Sequence, residues 1–408
     1  AVMKAYGKLQ SDMTPKRLMI LGAGIFQLRL IRRARAMGYE THVVSIPGNY
    51  PGFAEADVSH HIDTTDVDAV VALAKKLSIT AVVTTGTDAC VPAMGAVCDS
   101  LALPGISSRI AETISFKDRF RTFQKDCGLQ SPRFVTAARV DIFVDKAKEL
   151  GFPILVKPSD SSGSRGISRL ESPEPEAMRL SFEAALRHSR RGIVCAEELL
   201  EGLEVSGNAF LWNGRAVFLT VTGKHMDGLI VRGHHYPTNV SKETEDSIRV
   251  CIEQYCEKLG YANGALNFDV MTNGNDVQII ELAARLGGNG VTDLIERAYG
   301  YDTETETIRM AVGEPPRPVE TQSVYPCGSV VFGAPSAGLL AHMPTIVELQ
   351  KTCPFVFDMI AQRELGDEVV PMRHNADLIG YVLFDIPEAL TWRDCADTLL
   401  ENIDIQTS

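Results

Sequence analysis

A chain of 408 residues, 45% hydrophobic and 23% charged, is long enough for roughly two to four domains with separate cores, and its composition is that of an ordinary globular protein. A net charge of −12 argues against a nucleic-acid surface and leaves small molecules as the expected partners, with any anionic ligand held by locally placed Lys, Arg or metal ions. The nine cysteines are dispersed, without a C-x-x-C pair or zinc spacing, which excludes a disulfide framework and implies reduced thiols in the cytoplasm. No apolar run reaches membrane-span length, and residues 1–15 lack an h-region; they read as a tag remnant or loose arm.

Residues 17–21 form a short buried strand running into Gly22, Ala23 and Gly24, and a helix over 26–37 and a strand over 41–45 complete a βαβ opening. The dinucleotide fingerprint fails here, because Gln27 stands where the third glycine belongs and no acid ends the second strand. The turn is expected to pack a helix on a sheet or to touch a substrate. A helix over 67–77, a strand over 79–84, a helix over 89–100 and Pro104-Gly105 finish a doubly wound domain near residue 112. Thr84 to Asp88 lies at a strand's C-terminal end, where open α/β sheets bind ligands; Asp88 reads first as an N-cap and second as a ligand contact.

A helix over 115–127 carries Lys117, and a helix over 142–150 leads into a strand ending on Lys157 and Pro158. The run that follows, with Ser161, Gly163, Ser164 and Gly166, exposes backbone N–H groups able to cradle phosphate, although as a flexible turn it is equally well explained. It is not the P-loop, because Lys157 precedes it. After a helix over 176–188, a strand over 192–200 ends in Glu197, Glu198 and Leu200, and Glu204 to Ser206 resumes the sheet. Strands over 208–212 and 216–222 flank an Asn213-Gly214 hairpin turn. Residues 224–236, polar and broken by glycines, read as a loop over a site. His234 and His235 are adjacent and face opposite ways on an extended chain, so they cannot share a metal; a hydrogen-bonded structural role is the default, with one free to meet a substrate.

A helix over 242–259 precedes the most informative stretch. Leu266, Phe268 and Val270 alternate with polar or small neighbours as a half-buried strand, Thr272 to Asp276 supplies turn residues, and 277–282 returns. A two-residue Asn273-Gly274 turn would put Asp269 and Glu281 on opposite faces, whereas a three- or five-residue loop puts them on one. On one face they repel unless a cation lies between them. Magnesium suits such a pair, since nucleotide phosphates and water complete its shell. Taken alone, the stretch is slightly better described as a solvated hairpin with scattered acids. Helices over 292–298 and 303–312 follow, and from residue 328 the chain is β-rich with a terminal helix over 392–401.

With Lys117, Lys157-Pro158, the Ser/Gly loop, Glu197-Glu198, Glu204, Asp269, Glu281 and Arg285 in this order, the chain resembles the ATP-grasp superfamily, and within it the carboxylate–amine (L-amino acid) ligases. The resemblance runs from Arg17 to Asn402; no single motif is specific, but the ordered set is. It implies an α/β and α+β multidomain ATP-grasp fold: an N-terminal Rossmann-like (pre-ATP-grasp) domain over 1–112, a lid subdomain over 113–198, a catalytic subdomain over 199–317 and a β-rich C-terminal subdomain over 318–408. It also implies ATP with Mg2+ or Mn2+. Lys117 and Lys157 resemble the lysines on the phosphates, with Lys157 also catalytic, and Ser161, Gly163, Ser164 and Gly166 the loop that closes over them. Glu197, Glu198 and Leu200 resemble the adenine-binding hinge, and Glu204 the ribose acid. Asp269 and Glu281 resemble the metal acids, with aspartate where many relatives have glutamate. Arg285 resembles the catalytic arginine that stabilises an acyl-phosphate and its tetrahedral successor, and His234, His235, Gly287, Gly288 and Asn289 fall on the substrate side.

D-alanine ligases carry an Asn where this chain has Ala283, and the longer signature of biotin carboxylases is absent. Gly366, Asp367, Val369, Pro371 and Gly380 resemble the tail of amino acid ligases and of purine-pathway carboxylating relatives. The implied activity is an ATP-dependent, ADP-forming carbon–nitrogen ligase acting on a small-molecule carboxylate and amine, as a cytoplasmic homodimer with no nucleic-acid or membrane partner. The alternatives are a carboxylating enzyme working through carboxyphosphate and a catalytically silent nucleotide-binding protein. The general base stays open among His235, Asp227 and water on the ADP side.

Overall fold

The computed structural model describes residues 16–320 and 323–408, so the arm expected over 1–15 lies outside them. Strands β1 (Arg17–Leu21), β2 (Glu40–Ser45), β3 (Val58–His61) and β4 (Ala81–Val83) form a parallel sheet in the order β3-β2-β1-β4. Leu18 to Leu21 are buried without alternation, as strands covered on both faces must be. The first helix opens with a 3-10 turn, Ile25–Gln27, before Leu28–Ala36. Gln27 accepts from the Gly24 N–H at 2.9 Å and donates to the Thr85 carbonyl. Its side chain lies so close over Gly22 that a Cβ there would meet it at 2.8 Å. The residue that breaks the dinucleotide fingerprint therefore fills the glycine turn with its own side chain.

The helix expected over 115–127 is found over Lys117–Asp126, and a separate helix not expected from the sequence precedes it. Ser108–Ser115 stops at Phe116, which is extended, and Lys117–Asp126 starts afresh with the Lys117 N–H bonded to the Ser159 carbonyl at 2.8 Å. Strands β5 (Phe134–Ala137), β6 (Ile154–Pro158), β7 (Ser168–Leu170) and β8 (Val194–Glu198) make an antiparallel sheet ordered β5-β8-β6-β7, backed by helices Val140–Ala147 and Pro175–Arg187.

Strands β9 (Leu203–Trp212), β10 (Arg215–Asp227), β11 (Ile230–Tyr236), β12 (Gly264–Asn273) and β13 (Asp276–Ala283) build the central sheet. Residues 224–236 are thus the β10–β11 hairpin rather than a loop; polar residues sit on both of its faces, Lys224 and His234 on one and His225 and His235 on the other, so no simple alternation marks the strands. After β14 (Cys327–Phe332) and β15 (Gly338–His342) come β16 (Val356–Ala361), β17 (Glu368–Val369), β18 (Gly380–Asp385) and β19 (Gln406–Thr407). The β-rich C-terminal piece does not stand apart. His235 and Tyr236 of β11 pair with Gly328 and Cys327 of β14, giving an eight-stranded sheet ordered β13-β12-β9-β10-β11-β14-β18-β16.

Val205, Ala209, Leu211, Leu266, Phe268 and Val270 point to one side of this sheet, onto helix Lys242–Leu259. Their strand neighbours Glu204, Ser206, Asn208 and Asp269 point to the other. Among the described residues no helix is long and apolar enough to cross a membrane.

Candidate functional site

The β12–β13 turn has two residues, Gly274 and Asn275, with Asn273 opposite Asp276. By alternation alone, a two-residue turn places Asp269 and Glu281 on opposite faces. The structure corrects that inference: a β-bulge at Ile280 shifts the register between Val270↔Ile279 and Asp269↔Glu281. One extra residue restores the phase, and the two acids become direct cross-strand neighbours. Arg121 Nη2 donates to the Ile280 carbonyl at 2.9 Å and Gln124 Nε2 to the Ile279 carbonyl at 3.3 Å.

Each acid is met by a lysine. Lys224 Nζ lies 2.9 Å from Asp269 Oδ2 and 2.5 Å from Glu204 Oε1, and the Ser206 hydroxyl donates to the other oxygen of Asp269. Burial pushes the Asp269 carboxyl up, but the Lys224 charge and the Ser206 hydrogen bond outweigh it and hold the group below its ordinary value. Lys117 Nζ lies 3.5 Å from Glu281 Oε1 and donates to the Ser161 carbonyl at 2.8 Å. Burial lowers the Lys117 pKa, yet Glu281, Asp88 and Glu197 together raise it. Among the described residues no three His, Cys, Asp or Glu side chains gather into a metal cage. Two carboxylates on one face, already drawing in cations, fit Mg2+, which takes one or two carboxylates and completes its shell with substrate phosphate and water.

On the other sheet, Lys157 Nζ donates to Glu197 Oε2 at 2.8 Å. Arg121 grips the same carboxylate with Nε at 3.0 Å and Nη2 at 3.1 Å. Burial disfavours the Glu197 anion, but Arg121 and Lys157 prevail and hold its pKa far below the carboxylate range. The Glu197 side chain is thus spent on these two cations. Glu198 instead binds Arg133 at 2.9 Å, and Leu200, half-buried, follows the end of β8. Gly163, Ser164 and Gly166 all take positive φ. The Ser164 hydroxyl donates to the Leu229 carbonyl at 2.7 Å, at the β10–β11 turn, and the Asn375 N–H to the Gly163 carbonyl at 3.3 Å. The loop bearing Ser161 therefore reaches from the β5–β8 sheet to the β10–β11 turn and to Asn375.

Arg285, two residues beyond β13, donates from Nε to Asp88 Oδ1 at 2.7 Å and from Nη1 to Asn267 Oδ1 at 2.9 Å. This overturns the cap reading of Asp88: helix Val91–Leu101 has Cys90 at its N-cap with no side-chain bond, and Asp88 faces the arginine instead. The Gly287 N–H is taken by Asn208 Oδ1 at 2.8 Å. Gly288 packs against Phe26 and the Gly86 carbonyl, where a Cβ would have 3.4–3.5 Å contacts, and Asn289 is left-handed with φ 54°. A cavity of about 80 Å³ beside them is lined by Phe26, Arg29, Asp293 and Tyr381.

The histidines separate as their adjacency requires. His234 lies buried beside Lys224 on the polar face, 3.2 Å from the Thr222 hydroxyl, and burial first, then Lys224, lowers its pKa to about 3. His235 is on the opposite face, 2.8 Å from His225, which stacks on Trp392 at 3.5 Å. As a substrate contact or general base His235 is therefore corrected, since strand alternation aims it at the C-terminal helix. Sequence reasoning missed Arg121, Lys224, Ser206, Asn208 and Asn267. The in-phase run Glu204, Ser206, Asn208, matched by Thr222 and Lys224, is a signal that finds Ser206, Asn208 and Lys224, but neither Asn267 nor the helical Arg121.

Residues 150–293 match the ATP-grasp domain family. The chain carries an ATP-grasp domain. Protein y4rH of Sinorhizobium fredii, itself uncharacterized, is 25% identical over 350 residues, 83% of this chain and 71% of its own length. A formate-dependent phosphoribosylglycinamide formyltransferase of Corynebacterium jeikeium is 23% identical over 345 residues, 79% of this chain and 80% of the relative. The crystal structure of an L-amino acid ligase from Bacillus licheniformis superimposes with a TM-score of 0.78 over 96% of this chain and 99% of that one, at 17% identity, a likeness of fold. ATP-grasp enzymes are ATP-dependent, ADP-forming ligases that make carbon–nitrogen bonds, and this chain is an ATP-dependent ligase of that class.

Proposed function

We propose that this ATP-grasp ligase joins a small-molecule carboxylate to an amine through an acyl-phosphate, releasing ADP and phosphate. One observation carries the reading: Asp269 and Glu281 are direct cross-strand neighbours, with Lys117 beside Glu281 and Arg285 two residues beyond the strand. A carboxylate attacking the γ-phosphorus of ATP is opposed chiefly by anion repulsion. Lys117 and Lys157 would take phosphate oxygens, each leaving or sharing the carboxylate it now touches. Asp269 and Glu281 would hold Mg2+, or Mn2+ in its place, which when bound neutralises phosphate charge and aligns donor with acceptor. Glu198, Leu200 and Glu204 would receive the adenosine, Glu204 exchanging Lys224 for ribose hydroxyls.

Arg285, aimed by Asp88 and Asn267, would bind the acyl oxygen as it gains charge when the amine attacks. The Gly288 N–H is available to help; the Gly287 N–H is already bonded to Asn208. Ser161, Gly163, Ser164 and Gly166 would exclude the water that hydrolyses an acyl-phosphate. The test is incubation with ATP, Mg2+ and a panel of carboxylates and amines, following ADP release and amide product together. Amide formation that depends on both partners supports the reading. Bicarbonate-dependent turnover without an amine would instead favour the carboxyphosphate route, and no ADP with any carboxylate would sink both.

A further inference from the structure

The mechanism above leaves one buried cation unused. Arg121, 2% exposed on helix Lys117–Asp126, spends its guanidinium on two distant groups, Glu197 and the Ile280 backbone, and on its helix neighbour Gln124. Nε and Nη2 clasp the two oxygens of Glu197, Nη1 donates to Gln124 Oε1 at 2.8 Å, and Nη2 also donates to the Ile280 carbonyl. Glu197 is the partner of Lys157. Ile280 is the extra residue of the bulge, immediately before Glu281. A bulge leaves its carbonyl outside the regular ladder, and a buried acceptor without a donor costs about 1–3 kcal/mol. Without the bulge, alternation would aim Glu281 away from Asp269.

We propose that Arg121 is a positioning residue that couples the phosphate grip to the metal grip. One planar fork fixes Glu197, and through it Lys157, while donating to the backbone that turns Glu281 toward Asp269. The proposal rests on the reading of Asp269 and Glu281 as the metal acids. Lysine cannot replace this fork, since an ammonium on a flexible stem does not present rigid, divergent donors. Gln124 is a second, weaker pin on the same bulge, through the Ile279 carbonyl.

The experiment is titration of the full chain with a fluorescent N-methylanthraniloyl ATP, with and without Mg2+, reading the ratio of the two Kd values. In Arg121→Lys, which keeps a positive charge beside Glu197, the metal-free Kd should stay within about threefold of wild type while the tightening by Mg2+ falls about tenfold, the cost of roughly one misplaced ligand. Gln124→Met should lose about two- to threefold of the same tightening. A merely structural role would lower Tm and weaken both Kd values in parallel, leaving the ratio unchanged. Wild-type tightening in a folded Arg121→Lys overturns the proposal; if that variant does not fold, wild-type tightening in Gln124→Met overturns it. Glu281→Gln, run alongside, separates the two failures. If Glu281→Gln abolishes tightening and Arg121→Lys does not, only the role of Arg121 falls; if Glu281→Gln keeps it, the metal reading beneath falls too.

Discussion

Two sheets of this molecule each bring lysine to carboxylate, and the contacts are not equivalent. On the lid sheet, Lys157, Glu197 and Arg121 form a closed triad in which Glu197 and Arg121 are each 2% exposed. On the central sheet, Glu281 is 39% exposed and Lys117 stands 3.5 Å away, too far for a firm bond. In the first arrangement Arg121 keeps Glu197 paired even when Lys157 shares its ammonium with a phosphate, and removing Glu197 would strand two buried cations. The second leaves Glu281 open with a loosely held counter-ion, beside an Asp269 already bonded to the buried Lys224 at 2.9 Å, and Glu281 is the acid of the pair best placed to exchange its partner. Similar chemistry locks the acid in place where it is dry and leaves it open to exchange where it is wet.

The largest expected effect tests the wet side. Glu281→Gln should lower turnover at least about 100-fold, since metal neutralisation of phosphate contributes several kcal/mol, while Tm stays near wild type because a half-exposed pair contributes little to stability. Near-normal ATP turnover would break the comparison. Arg285→Lys comes next: losing the fork held by Asp88 and Asn267 should cost about 100-fold in kcat, seen as slower amide formation at saturating ATP. On the dry side the readout reverses. Glu197→Ala should destabilise the protein by about 3–5 kcal/mol in urea unfolding, because Arg121 and Lys157 are left without a counter-charge.

The pH dependence sharpens the same contrast. Glu197 has a depressed folded pKa, so its contribution is complete above the ordinary carboxylate range and is lost only as pH falls well below it; Glu197→Gln should flatten that acid limb. The smallest effect concerns His225, whose pKa burial, then His235 and Arg393, lower to about 4. The unfolded chain takes up this proton first, near pH 6.5, so stability is full above about 6.5 and declines toward pH 4. His225→Phe, which keeps the stack on Trp392, should reduce the slope of urea midpoint against pH across that window.

Much of this was legible along the chain. Alternation at Leu266, Phe268 and Val270, the glycines of the lid loop and the order of Lys117, Lys157, Glu197, Glu204, Asp269, Glu281 and Arg285 are local or sequential facts, and they carry the ATP-grasp resemblance. Alternation also requires His234 and His235 to face apart, though not which one meets the site. The loop reading of 224–236 failed because this hairpin carries polar residues on both faces, covered on one side by charge pairing with Asp269 and on the other by Trp392, so no alternation shows along the chain. The Asp88 cap failed because a carboxylate that ends near a helix start can serve a distant arginine, and nothing local chooses between them.

The sequence by itself determined which residues alternate, which segments are strands or helices for the most part, and which charges recur in the right order, since these follow from side-chain chemistry within a few positions. Only the tertiary structure decided the face that Glu281 takes. Its turn length points one way and a single inserted residue at Ile280 reverses it, in a bulge whose carbonyl is held by Arg121, 159 residues earlier in the chain. Period-two logic is exact for an unbroken ladder and has no way to see where packing from elsewhere makes a break stable.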